Sequence, residues 1–80
     1  MELVTVPLMR VQLDTDRATA RRVLDLHRAG GVHRESRDAA LDEIWRRGHT
    51  PAGEPVFVGL TNGDPVHLVY DVLVHSGTTH

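Results

Sequence analysis

The sequence predicts a small α+β domain in the order strand, helix, helix, strand, strand, with the two helices packed on one face of a small, mostly antiparallel three-stranded sheet. Three observations lead to this fold class: apolar alternation near the N-terminus, two capped amphipathic segments in the middle, and an Asn-Gly turn between apolar runs near the C-terminus. The chain has 80 residues, which are enough for one domain and too few for two. We therefore expect one domain over residues 1–80, with residues 76–80 as a flexible tail.

The first predicted strand runs from Met1 to Leu13. Its apolar residues alternate as far as Leu8 and then continue on the opposite parity from Met9. Two arrangements are compatible with this change of parity. Either a one-residue bulge near Pro7 brings both sets to one face, or the strand has two apolar faces.

The first predicted helix follows residues 14–16, Asp-Thr-Asp, which offer three N-caps, and it runs to about Ala29. The pair Gly30-Gly31 is expected to end it, because glycine adopts the left-handed conformation that terminates helices. Apolar residues at helical spacing form one narrow stripe on this helix. The stripe consists of Ala20, Val23, Leu24 and His27.

The second predicted helix begins near Ser36 as its N-cap and ends at Arg47, with Gly48 in the left-handed position that follows. Two ion pairs with the acid four residues before the base are expected on its surface. The pairs are Asp42 with Arg46, and Glu43 with Arg47. The buried side is predicted to consist of Ala40, Leu41, Ile44 and Trp45.

Two further strands are predicted at Val56–Leu60 and Val66–His75, after a linker rich in proline and glycine. The dipeptide Asn62-Gly63 between them is a strong local hairpin signal. We favour a three-residue loop with a left-handed Gly63, because this register collects the apolar residues on one face. That face would contain Val56, Val58, Leu60, Val66, Leu68, Tyr70, Val72 and Val74.

The opposite, open face of the sheet would then mix apolar and polar side chains. Such a face is too apolar for full solvation and too polar for a core, which is typical of an interface. We expect Phe57, Val69 and Leu73 to supply the apolar contact. The polar surround is expected to consist of His67, Asp71 and His75. The expected partner is a second copy of the chain or another protein.

The composition excludes several kinds of chemistry. Cysteine is absent, which excludes disulfides, a thiol nucleophile and a thiolate zinc site. All 9 basic residues are arginine, so a P-loop lysine and a lysine Schiff base are excluded as well. An arginine bias of this kind is typical of a GC-rich genome, such as that of an actinobacterium or an actinophage.

No catalytic site, metal site or cofactor is expected. The two serines, Ser36 and Ser76, do not lie in a nucleophile elbow, and the 6 histidines lack the spacing of metal ligands. No apolar run is long enough to span a membrane, and no signal peptide precedes the first strand. We therefore expect a cytoplasmic protein without a membrane partner.

Nucleic-acid binding is the main alternative, because two helices joined by a short turn and followed by a hairpin are the order of a winged helix. In that interpretation the phosphate contacts would come from Arg34, Arg37, Arg46 and Arg47. The net charge of -2 weakens the electrostatic attraction that such binding needs.

The order of elements is also similar to that of the RelE-type toxins, and the resemblance covers the order alone and no sequence motif. It implies a component of a toxin–antitoxin system. Those toxins are typically basic at the face that binds RNA, whereas this chain is slightly acidic. An acidic chain fits a protein that binds another protein better, and the predicted function is a non-catalytic protein–protein interaction module.

Overall fold

The computed structural model describes residues 7–75, which form two helices and a three-stranded antiparallel sheet. This arrangement confirms the predicted fold class. In chain order the elements are β1 (Leu8–Thr15), α1 (Arg17–Arg28), α2 (Arg34–Arg46), β2 (Val56–Thr61) and β3 (Val66–Leu73). The start of the first predicted strand, residues 1–6, and the predicted tail, residues 76–80, lie outside the described residues.

Helix α1 begins and ends where its capping residues predict. Asp16 is the N-cap, and its Oδ1 accepts a hydrogen bond of 2.7 Å from the backbone N–H of Thr19. At the other end Gly30 has a φ of 82°, and Gly31 donates its N–H to the carbonyl of Leu26 at 2.8 Å. The last bond closes a Schellman motif, which needs a residue at positive φ and therefore favours glycine.

Helix α2 begins earlier than predicted, at Arg34, and its N-cap is His33. Nδ1 of His33 accepts a hydrogen bond of 3.2 Å from the backbone N–H of Ser36, so the imidazole does what a serine or aspartate usually does. Ser36 instead lies inside the helix, buried, with its hydroxyl against that of Tyr70. The prediction that Ser36 caps the helix is therefore wrong.

The C-terminal end of α2 agrees with the sequence. Gly48 has a φ of 83°, and the following His49 donates its N–H to the carbonyl of Ile44 at 3.1 Å, which is a second Schellman motif. Both predicted ion pairs are confirmed, with nitrogen–oxygen distances of 3.2 and 3.0 Å. They join Arg46 to Asp42 and Arg47 to Glu43.

One residue assigned to the buried side of α2 is exposed. Ser36, Ala40 and Ile44 face the sheet at intervals of four residues, and all three are buried. Trp45 follows Ile44 by one position, about 100° further round the helix. Its side chain is 58% exposed, so the prediction that Trp45 is a core residue is wrong.

Strand β3 is the central strand, and the sheet order is β1-β3-β2. Strand β1 pairs with it without interruption from Leu8, opposite Leu73, to Thr15, opposite Val66. Successive residues of a regular strand point to opposite faces. Leu8 and Met9 therefore lie on different faces, and no bulge brings them to one face between Leu8 and Thr15. After Leu8 the open face of β1 carries the polar residues Arg10, Gln12 and Asp14, so the alternative of two apolar faces does not hold for this segment either.

The hairpin between β2 and β3 differs from the predicted register. Leu60 pairs with Leu68 and Phe57 with Tyr70, and a bulge between Phe57 and Gly59 interrupts the ladder. The connecting loop is longer than three residues, and the left-handed conformation predicted for its glycine is absent. The peptide bond before the loop's proline is cis. These changes leave six of the eight residues of the predicted buried face in or against the core.

The two residues that leave the predicted buried face are Val56 and Val58, which are exposed. Val56 pairs with Asp71 and so lies on the open face, whereas Val58 sits in the bulge. The bulge also changes the face that Phe57 occupies. This residue packs against the core, edge-on to Tyr70, with ring centroids 5.5 Å apart.

The helices share the other face of the sheet between them. Helix α1 lies over β2 and β3, and α2 lies over β1 and β3. The buried hydrophobic core between the two layers consists of Val11, Ala20, Val23, Ala40, Ile44, Leu68, Tyr70, Val72 and Val74. Neither helix of the described part is long and apolar enough to cross a membrane.

The core is small enough for one truncation to test it. Ile44 is the largest fully buried side chain, so we expect Ile44→Ala to lower the free energy of unfolding by about 2–5 kcal/mol. The matched control is the adjacent Trp45→Ala, which removes an exposed side chain. This substitution should change the free energy of unfolding by about 0.5 kcal/mol or less. Urea denaturation followed by circular dichroism measures both. Equal effects of the two substitutions would contradict the placement of the core.

Candidate functional site

The open face of the sheet carries rows of side chains, each row crossing neighbouring strands. Residues directly opposite each other in a ladder point to the same face, so the register defines the rows. Starting from the end where Pro7 lies, the rows are Leu8–Leu73, Arg10–Asp71–Val56, Gln12–Val69–Gly59 and Asp14–His67–Thr61. The first two rows contain the aliphatic residues that are exposed, and the last is polar.

Three aliphatic side chains from three strands form what we call the apolar end of this face. Leu8 is 60% exposed, Val56 is 61% exposed and Leu73 is 43% exposed. Leu8 lies directly opposite Leu73, and Val56 lies opposite the residue two positions before Leu73. An exposed apolar group of this kind is typical of a surface that binds another molecule.

The structure places four of the six predicted interface residues on the open face. Val69, Leu73, His67 and Asp71 are there, although Val69 is almost fully buried between its neighbours. His75 is exposed just beyond β3, where its backbone N–H bonds to the carbonyl of Thr50. The sixth residue is on the other side of the sheet.

Phe57 is that residue, and its predicted position on the open face is wrong. Its ring lies on the helix side, edge-on to His27 with centroids 5.1 Å apart. The bulge after Phe57 is the physical reason, since one extra residue in a strand exchanges its two faces. Leu8 and Val56 take its place among the exposed apolar residues, and the predicted register had assigned Val56 to the core.

An ion pair crosses the second row. Arg10 donates from Nε and Nη2 to the two carboxylate oxygens of Asp71, at 2.8 and 3.1 Å. The Asp71 side chain is the more buried of the two. Hydrogen bonds from the Arg10 guanidinium hold the pKa of Asp71 below its usual range. The pair therefore adds no net charge to the open face.

The last row is a hydrogen-bonded chain across all three strands. His67 contacts Oδ1 of Asp14 through Nε2 at 2.8 Å and the hydroxyl of Thr61 through Nδ1 at 3.1 Å. This pattern is satisfied when Nε2 carries the proton and the hydroxyl donates to Nδ1. The same hydroxyl oxygen accepts the backbone N–H of His67 at 3.0 Å, so Thr61 closes the strand end rather than serving as a free nucleophile.

A second polar cluster lies in the core at the start of α2. The hydroxyl of Ser36 contacts Nδ1 of His33 at 2.9 Å and the hydroxyl of Tyr70. Ser36 is 5% exposed, so a substrate has no access to its oxygen. Burial raises the pKa of Tyr70, and the hydrogen bond from Ser36 opposes that shift in part. This cluster connects the first turn of α2 to β3.

The arginines predicted to contact nucleic acid are mostly engaged within the chain. Arg37 binds Glu54 at 2.8 Å, and Arg46 and Arg47 form ion pairs with acidic residues of α2. Of the four, Arg34 alone has no ion pair among residues 7–75. Arginines whose charge is already matched by a carboxylate contribute less to phosphate binding.

The histidines do not assemble a metal site in the described part of the chain. His27 and His33 line the same cleft of about 210 Å³ next to Phe57, but no third ligand joins them. Over residues 7–75, no group of three His, Asp or Glu side chains is placed to hold a metal ion. Zinc and similar ions need at least three protein ligands around one point.

Comparison of the chain with models of protein families, with curated proteins and with solved structures found no match.

The Arg10–Asp71 pair predicts an acid titration. By NMR we expect the Asp71 carboxyl to titrate below the usual value of about 3.9, and the midpoint should rise towards that value in Arg10→Gln. A lowered folded-state pKa stabilises the fold above the unfolded-state pKa, and this stabilisation is lost as the pH falls through the folded-state pKa. An unchanged midpoint in Arg10→Gln would contradict the assigned cause.

The buried hydroxyl cluster predicts an alkaline titration. Tyr70 is the only tyrosine, so ultraviolet absorbance reports its ionisation, and its midpoint should lie above the usual value of about 10. Ser36→Ala removes the bond that lowers the pKa and should move the midpoint higher still. Because the pKa of Tyr70 is higher in the folded state than in the unfolded state, the protonated hydroxyl stabilises the fold. This contribution is complete below about pH 10 and is lost as the pH rises through the folded-state pKa. A lower midpoint in Ser36→Ala would overturn the assignment.

Proposed function

We propose that the protein is a non-catalytic protein–protein interaction module that forms a homodimer through the open face of its sheet. The observation that carries the proposal is the apolar end, where Leu8, Val56 and Leu73 expose aliphatic surface side by side. The helices cover only the other face. A domain of this size buries a smaller fraction of its surface than a larger domain does, and association with a second subunit is a common way to bury more.

The charges of the open face favour a second copy over a strongly charged partner. Arg10 is neutralised by Asp71, and His67 is bonded to Asp14, both within one chain. When two such faces meet, the Arg10–Asp71 pair brings no unpaired charge to the interface, and unpaired like charges there would cost several kcal/mol. Asp14 lies in the last row, at the end of the face far from Leu73, so its charge stays outside the apolar contact.

The geometry is also compatible with the symmetry of a dimer. A two-fold interface is formed by the same patch on both subunits, so the patch has to be complementary to itself. With the axis along β3, Leu73 of one subunit meets its own copy, and the β1 side faces the β2 side. Leu8 and Val56 flank Leu73 on those two sides. The apolar surface of one subunit then lies on that of the other.

The polar clusters support a non-catalytic role. The hydroxyl of Ser36 is buried, and that of Thr61 is bonded to the backbone of β3. Engagement of Arg37, Arg46 and Arg47 by carboxylates weakens the nucleic-acid alternative, which needs free positive charge. Membership of a toxin–antitoxin pair and a location in the cytoplasm stay predictions from the sequence.

Solution mass tests the proposal. Size-exclusion chromatography with light scattering over a concentration series should give twice the 8.9 kDa of one chain. Leu73→Glu puts two like charges at the axis of the dimer, so we expect a monomer with an unchanged far-ultraviolet spectrum.

The matched control is Trp45→Glu, which puts the same charge on an exposed apolar residue of α2, on the helix side of the sheet and away from the open face. This variant should remain a dimer. A monomeric wild-type protein at all concentrations would overturn the homodimer, and so would a dimer that survives Leu73→Glu.

A further inference from the structure

A second binding surface lies on the helix side of the sheet, at the end far from the apolar end. It is a groove of about 770 Å³ between the N-terminal half of α1 and the β2–β3 hairpin. Grooves and pockets of about 300–1,000 Å³ are the size at which proteins bind small organic ligands. Its lining includes Thr61 from the last polar row, but neither the residues of the apolar end nor the Arg10–Asp71 pair.

The floor of this groove is apolar. Ala20 is buried, and the other three floor residues are partly exposed along their aliphatic side chains. The floor consists of Ala20 and Leu24 from α1, Leu60 from β2 and Val66 from β3. A ligand that covers these side chains gains the free energy of removing their apolar surface, and its own, from water.

The helix rim of the groove is positively charged. Arg17 and Arg21 line it, one helical turn apart. Among residues 7–75 neither forms an ion pair, in contrast to Arg10, Arg37 and Arg47. Side chains four residues apart are neighbours on a helix, with Cβ atoms about 6 Å apart. Two guanidinium groups at that spacing can converge on one carboxylate or phosphate.

We propose that the groove binds a small organic anion with an apolar body. The anionic head would bind Arg17 and Arg21, and an alkyl chain or an aromatic ring would cover Leu24 and the strand residues beside it. Asp64 on the hairpin rim disfavours a head group at that side and so fixes the orientation. It also disfavours a nucleic-acid backbone, which needs a continuous run of positive charge.

The position of the groove separates this site from the rest of the chain. Pro7 accepts a hydrogen bond from the N–H of Val74 at 3.0 Å, so the described chain enters and leaves the sheet at one end. The groove lies at the opposite end, beside the hairpin loop. It also lies on the opposite face from Leu73, and binding should therefore be equal in the wild-type protein and in Leu73→Glu.

Octanoate is a probe with the required chemistry, and its binding can be followed by the amide shifts of a ¹⁵N-labelled protein. We expect saturable shifts centred on Ala20, Leu24 and Leu60. Acetate has the head without the body, and octylamine has the body with the opposite charge, so neither should produce them. Binding of octylamine as tight as that of octanoate would show apolar adsorption only and would overturn the proposal.

Substitutions provide the second arm. Arg17→Gln with Arg21→Gln should weaken octanoate binding by roughly tenfold or more, since each removes a charge-assisted hydrogen bond. The control is Arg22→Gln with Arg34→Gln, which lowers the net charge equally from two exposed arginines outside the groove. The control should bind as the wild-type protein does. Equal loss in both double variants, or no saturable binding to the wild-type protein, would overturn the site.

Discussion

The rest of the structure depends on the pairing of β3 with both other strands. It is the central strand, and each neighbour bonds to it and not to the other. Both helices rest on it as well, one over each of its two ladders. The strand lies late in the chain, so its ladder with β1 pairs residues as far apart as Leu8 and Leu73. A change that disrupts β3 therefore affects every layer of the fold at once.

The two faces of β3 explain why one domain has both a core and an open surface. Leu68, Tyr70 and Val72 point to the helices and are buried, whereas the alternate residues point away from them. Strands with one covered face normally place polar residues on the other. Here the open face combines polar rows, one of which holds the Arg10–Asp71 ion pair, with an apolar end. Covering the apolar end removes its surface from water, which is the physical basis of the proposed dimer.

Local signals in the sequence predicted most of the elements. The caps at Asp16, Gly30 and Gly48 follow from short-range hydrogen bonds, which neighbouring residues determine almost alone. The hydrogen-bond partners of the Ser36 side chain could not be predicted in this way. His33 caps the helix instead, and the Ser36 hydroxyl contacts Tyr70, which is distant in sequence.

The candidate site was predicted only in part, because one bulge in β2 determines which of its residues lie on the open face. The apolar pattern of β2 is compatible with two registers, and the sequence has no strong marker for an extra residue between Phe57 and Gly59. That residue exchanges the faces of Val56 and Phe57. Leu73 and Asp71 were placed correctly, since β3 is regular and its alternation is unbroken. The groove beside α1 depends on how the helix and hairpin diverge, which no local pattern encodes.

The hydrogen bond between Pro7 and Val74 makes a circular permutant of this fold feasible, because it places the two ends of the described chain side by side. A short linker would join these ends, and new termini would be opened in the glycine turn between the helices. In that circular permutant β3 and β1 become a hairpin. The longest loop closure of the natural order becomes one of the shortest, and the relative contact order falls. Since folding rates rise as contact order falls, the same native structure would form faster from the rearranged chain.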